Sequence, residues 1–112
     1  MDETKEHIYL IQEREFIKTN ESIFKIGKTQ DIFKRIKNYP KGSILKFCIE
    51  IDKKYNMEKD VKNVFDSTFE KQKEIGIEYY KGNLNEMIEE LFQIYNNLKK
   101  KKNEINEVNE VN

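Results

Sequence analysis

The chain has 112 residues, enough for one packed core and too few for two independent ones. Apolar residues make up 37% and charged residues 38%, with thirteen aromatics inside the first 95 positions, which excludes an unfolded polar chain and suits a compact domain under a solvated surface. Net charge is zero, Cys48 stands alone and His7 is the only histidine, so an intrachain disulfide and a Cys/His zinc site are both excluded.

The opening residues Met-Asp-Glu-Thr-Lys-Glu lack the basic-then-apolar order of a signal peptide, and no apolar run reaches membrane-spanning length. A soluble intracellular protein is expected. From His7 to Gln12, Ile8 and Leu10 alternate with His7, Tyr9 and Ile11, and Ser22 to Gly27 repeats the alternation with Phe24 and Ile26 against Ile23 and Lys25. The two read as a paired hairpin with a long polar connection over Glu13 to Glu21, and Tyr9 and Lys25 are expected on one face.

Thr29 is the expected N-cap of a helix over about 30–38, with Ile32, Phe33, Ile36 and Tyr39 on one stripe and Pro40 ending it. After the Pro40-Lys41-Gly42 turn, Ile44 to Asp52 is rich in β-branched and aromatic residues and reads as a third strand, with Cys48 at a buried position. Asn56 is placed to cap a helix reaching about Lys71 on Met57, Val61, Val64, Phe65 and Thr68. Gly76 to Gly82 reads as a short extended link containing Glu78-Tyr79-Tyr80. A last helix starts at Asn83, where Asn-x-x-Glu is a capping-box-like signal, and runs to about Leu98. The fold class is therefore α+β, a three-stranded antiparallel sheet flanked by helices in the order β-β-α-β-α-α. The domain is placed at residues 1–98, and 99–112, with four lysines and an Asn-Glu-x repeat, is expected to be a disordered tail.

Charge is unevenly distributed. Residues 18–54 carry ten Lys/Arg against four acids, a balance of +6, and residues 55–98 carry five lysines against nine acids, a balance of −4. A basic half of this kind suits contact with phosphates, and equally a solubilising surface.

His7-Ile8-Tyr9 on the first strand, Phe24-Lys25-Ile26-Gly27-Lys28-Thr29 on the second, Arg35 eight residues after Gly27, an acid opening the next long helix and Glu78-Tyr79-Tyr80 before the last one form an ordered set. This set resembles the GIY-YIG nuclease superfamily over about residues 7–95, most of all its viral, phage and meiotically-upregulated-gene branches. Arg35 is the most specific letter, because the chain has two arginines against nineteen lysines.

The resemblance implies an endonuclease that hydrolyses phosphodiester bonds in nucleic acid, expected to be DNA, with Mg²⁺ or Mn²⁺ as cofactor. Such a reaction needs a cation against developing charge, an activated water and a group that moves its proton. Glu58 matches the superfamily's metal-binding glutamate. A carboxylate in a helix's first turn is also favoured by the helix dipole alone. Arg35 is placed to hold a phosphate with its planar fork, and is otherwise a surface arginine. Tyr9 matches the first motif tyrosine, which helps organise or deprotonate the attacking water, and a phenol of ordinary pKa near 10 needs a neighbouring cation for that task. Lys25, Lys28 and Lys34 are the expected nucleic-acid contacts, with His7, Gly27, Glu78 and Asn83 in supporting places.

The chain departs from the superfamily pattern at two points. Lys25 stands where the name-giving second tyrosine is found, and His7 replaces the first glycine. An ammonium cannot accept a proton, so a catalytically inactive nucleic-acid-binding module is the second reading of the same residues. Gly27-Lys28-Thr29 lacks the spacing of a phosphate-binding NTPase loop, which excludes an ATPase.

Overall fold

A strand whose two faces are both apolar has to lie between two layers. β1 (Lys5–Gln12) does so: Ile8, Tyr9, Leu10 and Ile11 are all fully buried. A computed structural model of the chain describes residues 3–111, with side chains to residue 100. β1 pairs antiparallel with β2 (Ile23–Thr29) on one side and with β3 (Ile44–Asp52) on the other.

The sheet has five strands in the order β3-β1-β2-β5-β4, where the sequence predicts three. The added strands are β4 (Glu70–Lys71) and β5 (Tyr79–Lys81). Two- and three-residue strands are too short to carry a readable alternation, and β5 owes its place to pairing with Ile23, Phe24 and Lys25 of β2. The class remains α+β. The expected element order also gains α1 (Arg14–Lys18), a five-residue helix in the Glu13–Glu21 connection with no buried residue and hence no apolar stripe to announce it.

The helices share the two faces of the sheet. α3 (Met57–Thr68) and α4 (Leu84–Val111) cover one face, where Met57, Val61, Phe65, Met87 and Leu91 close on Ile8, Leu10, Phe24 and Ile26. α2 (Ile32–Ile36) covers the other, where Ile32, Ile36 and Tyr39 pack with Tyr9, Ile11, Leu45 and Cys48; Phe33, expected on the same stripe, is instead exposed, because the helical step of about 100° turns it away from that layer. Cys48, expected buried, is only half-buried there. A register irregularity between Leu10 and Ile11, opposite Phe47 and Leu45, sends those two β3 side chains to different layers.

Helix ends differ from expectation in four places, the first being α4, which runs on to Val111 where the sequence predicts an end near Leu98. α2 is shorter than 30–38, and its cap is Asp31, whose carboxylate accepts from the Lys34 N–H, because Thr29 remains in β2 opposite His7. Asn56 precedes α3 without a side-chain cap bond: its backbone is left-handed, with φ 48°, after a 3₁₀ turn over Lys53–Tyr55. α3 stops at Thr68 rather than near Lys71, since Glu70 and Lys71 are taken into the sheet. Asn83 does cap the last helix, accepting from the Glu86 N–H at 3.0 Å. Of the tail expected over 99–112, the side chains from 101 onwards lie outside the described residues. No helix among the described residues is long and apolar enough to cross a membrane.

Leu91, with no exposed surface between α4 and the sheet, is a direct test of this packing. Leu91→Ala should lower stability by about 2–5 kcal/mol, measured as a shift in the urea midpoint with unchanged slope.

Candidate functional site

Tyr9 and Gly27 are opposite one another on β1 and β2, and Tyr9 lies across the glycine. A Cβ at position 27 would fall 2.2 Å from Tyr9 Cζ and 2.3 Å from its hydroxyl, so this ring position requires glycine. The hydroxyl that results is 2.6 Å from the hydroxyl of Tyr39, with the two rings edge to face at 6.2 Å.

Cations converge on this pair. Lys25 Nζ lies 5.0 Å from the Tyr39 ring centre and 5.8 Å from that of Tyr79. Burial, followed by the hydrogen bond and charge of Tyr39, pushes the Tyr9 phenol up to about 12, while a hydrogen bond from Arg35 and the charge of Lys25 act in the opposite direction. Burial likewise raises Tyr39. Tyr79 donates to Glu13 Oε1 and Oε2 at 3.1 and 2.8 Å, and burial and that carboxylate raise it further.

From Lys25 a line of ion pairs crosses to α3. Lys25 is 4.0 Å from Glu78, Glu78 is 3.9 Å from Lys62, Lys62 is 3.7 Å from Glu58, and Glu58 is 3.8 Å from Lys28. Single exposed pairs of this length contribute little to stability, typically below about 1 kcal/mol. Their consequence is positional: Glu58 and Glu78 are held to one shared ammonium, and lysines of β2 stand at either end.

Tyr9, Lys25, Gly27, Arg35 and Glu78 thus come together, and Glu58 and Lys28 join them through Lys62. Lys34 lies beside Arg35 on α2, both lining a shallow cavity of about 230 Å³ with Thr29, Asp31 and Asn38. Two residues singled out from the sequence are engaged elsewhere. His7 Nε2 is 3.5 Å from Glu50, on β3, and Asn83 is occupied as the α4 cap.

Four members of the site were missed as such in the sequence. Tyr39 was legible as Arg35-x-x-x-Tyr39, one helical turn apart, but its apolar stripe gave it a core reading; its ring does pack in the α2 layer, and its hydroxyl meets that of Tyr9 in the candidate site. Tyr79 stood inside the Glu78-Tyr79-Tyr80 stretch without a role of its own and Lys62 one turn after Glu58, whereas Glu13 had no signal, because its contact with Tyr79 joins positions distant in the chain, as does that of Lys62 with Glu78. Glu78, Tyr79 and Tyr80 also have separate fates, since Tyr80 turns into the core and donates to Asp66 at 2.5 Å.

Fold and site together define a small α+β domain with a phenol pair under a guanidinium and an ammonium, beside a line of paired acids and lysines. The family model described as the T5orf172 domain matches residues 6–109, and the chain belongs to that family, a phage-derived domain found in nuclease-related proteins. No curated protein and no solved structure matches the chain.

Two outcomes follow from the tyrosines. Gly27→Ala should displace the Tyr9 ring and cost about 1–3 kcal/mol by overpacking, read as a lower melting temperature. Tyr9, Tyr39, Tyr79 and Tyr80 all hold their protons above the ordinary phenol range. The unfolded chain releases those protons first, so stability is intact below about pH 10 and falls as pH rises towards the folded values. Melting followed from pH 8 to about 11 should show that decline, and Tyr9→Phe should make it shallower; an equal slope in both proteins contradicts the assignment to Tyr9.

Proposed function

We propose that the domain is a GIY-YIG-type endonuclease, dependent on a divalent metal, that hydrolyses phosphodiester bonds in nucleic acid, DNA first among them. The observation that carries this reading is the Tyr9 hydroxyl, bonded to Tyr39 and under the influence of Arg35 and Lys25. Family membership supports a nuclease-related role.

In this reading Arg35, exposed on α2, takes a phosphate oxygen with its fork of donors. Lys25, Lys28 and Lys34 contact the neighbouring backbone. The Tyr9–Tyr39 pair orients a water and offers a route for its proton, since each hydroxyl both donates and accepts. Lys25 itself accepts no proton while charged, so the phenols carry that step.

Mg²⁺ and Mn²⁺ bind through one or two carboxylates completed by waters and substrate phosphates. The residues present fit that demand: Glu58 would hold the ion from the first turn of α3, with the ammonium groups of Lys28 and Lys62, 3.8 and 3.7 Å away, to take up phosphate oxygens. Bound there, the ion supplies charge against the phosphate and lowers the pKa of its water. Among the described residues no three His, Cys, Asp or Glu side chains cluster, so Glu58 would have to hold the ion alone with waters and phosphates.

A second reading, a nucleic-acid-binding module without cleavage, is favoured by the engagement of Glu58 with Lys28 and Lys62 and by the complete burial of Tyr9. Supercoiled plasmid separates the two. With Mg²⁺ or Mn²⁺ the parent should nick it, Glu58→Ala and Arg35→Ala proteins of equal foldedness should be slower by about 100-fold or more, and the rate should rise with pH between about 7 and 9 as the phenol or its water ionises. No nicking, or equal nicking by all three, overturns the nuclease. A salt-dependent gel shift without nicking establishes the second reading instead.

A further inference from the structure

The most exposed large apolar side chain among the described residues is Phe33, with 79% of its surface open. Phe92, at 47%, still meets Phe47 edge to face at 5.3 Å, whereas Phe33 has no ring partner among the described residues. Its exposure follows from the geometry of α2. Ile32 and Ile36 point into the layer over Tyr9, and each residue turns the helix by about 100°, so Phe33 is rotated off that stripe and into solvent.

The side chains around Phe33 are basic. Lys37 stands one turn on, on the same side of the helix, and Lys34 follows next around the circumference, before Arg35. All four are exposed. From Ile32 to Asn38 there is no acid, and the nearest one, Asp31, is turned back to cap the helix. A path around α2 therefore runs from Arg35 at the cavity, over Lys34, to an aromatic ring with a second ammonium beside it.

A solitary exposed aromatic is a poor anchor for a folded protein partner, whose interfaces need a contiguous, charge-depleted centre. It fits a nucleobase well. Single strands are bound by aromatic rings that stack on base faces and by cations that follow the phosphates, which is the combination that α2 presents. A duplex keeps those faces inside its own stack. We propose that Phe33 is a stacking platform for an unpaired nucleobase, so that the substrate is single-stranded or locally unpaired nucleic acid flanking the phosphate at Arg35. This rests on the nucleic-acid reading of the site and names its substrate class.

The test uses the full chain, without added metal so that nothing is cut, and two probes: a labelled oligothymidylate and a blunt duplex. The chain contains no tryptophan, so Phe33→Trp adds a single indole that can be excited selectively over the six tyrosines. Stacking predicts that oligothymidylate quenches its emission, that Phe33→Ala weakens oligothymidylate binding by about tenfold, and that Phe33→Ala leaves duplex binding unchanged. Lys34→Ala and Lys37→Ala should weaken both probes alike and reduce the salt slope. Unquenched emission with equal oligothymidylate affinity in parent and Phe33→Ala overturns the stacking while leaving backbone binding intact. Equal losses on both probes overturn the preference for unpaired bases. A parent that binds neither probe overturns the nucleic-acid reading itself, and this inference with it.

Discussion

The passage of the Tyr9 ring over Gly27 is the contact on which the site depends. Because position 27 has no side chain, a tyrosine on the inner strand can lie across β2 and carry its hydroxyl to Tyr39. The same ring helps close the α2 layer with Ile11 and Ile32, so one side chain packs in the core and carries its hydroxyl into the candidate site. Burial makes its phenol hard to ionise, and the cations around it offset that in part. Any role in proton movement is therefore set by the balance between desolvation and the charges of Arg35 and Lys25.

The two halves of the chain, opposite in charge, meet at this place. Lysines of the basic half, Lys25 and Lys28, reach Glu78 and Glu58 of the acidic half, with Lys62 between the two acids. A net charge of zero thus conceals a surface on which ammonium and carboxylate groups alternate. Pairing of this kind is soft: its members lie within 4.0 Å but are partly solvated, and a phosphate or a divalent cation offers each of them a stronger partner. The proposed nuclease draws on that exchange. In that proposal the lysines would leave carboxylates for phosphates, and Glu58 would be freed for an ion.

α2 links core and surface through its length. Five residues give one buried side, through Ile32 and Ile36, and leave Arg35, Lys34 and Phe33 spread around the remainder.

Much of this was legible in the sequence. The alternation in β1 and β2, the β-branched run of β3 and the helical stripes of α3 and α4 all follow from local side-chain periodicity, which acts over a few residues. Gly27, Arg35 and Glu58 stand out by residue type and order along the chain alone. The pairing of β5 with β2, the shortening of α2 and α3, the union of Tyr9 with Tyr39 and the bridge of Lys62 from Glu58 to Glu78 were decided only by tertiary structure. Each joins residues far apart in the chain or rests on a competition for the same backbone, and in both cases the deciding energy lies in contacts that no local pattern contains.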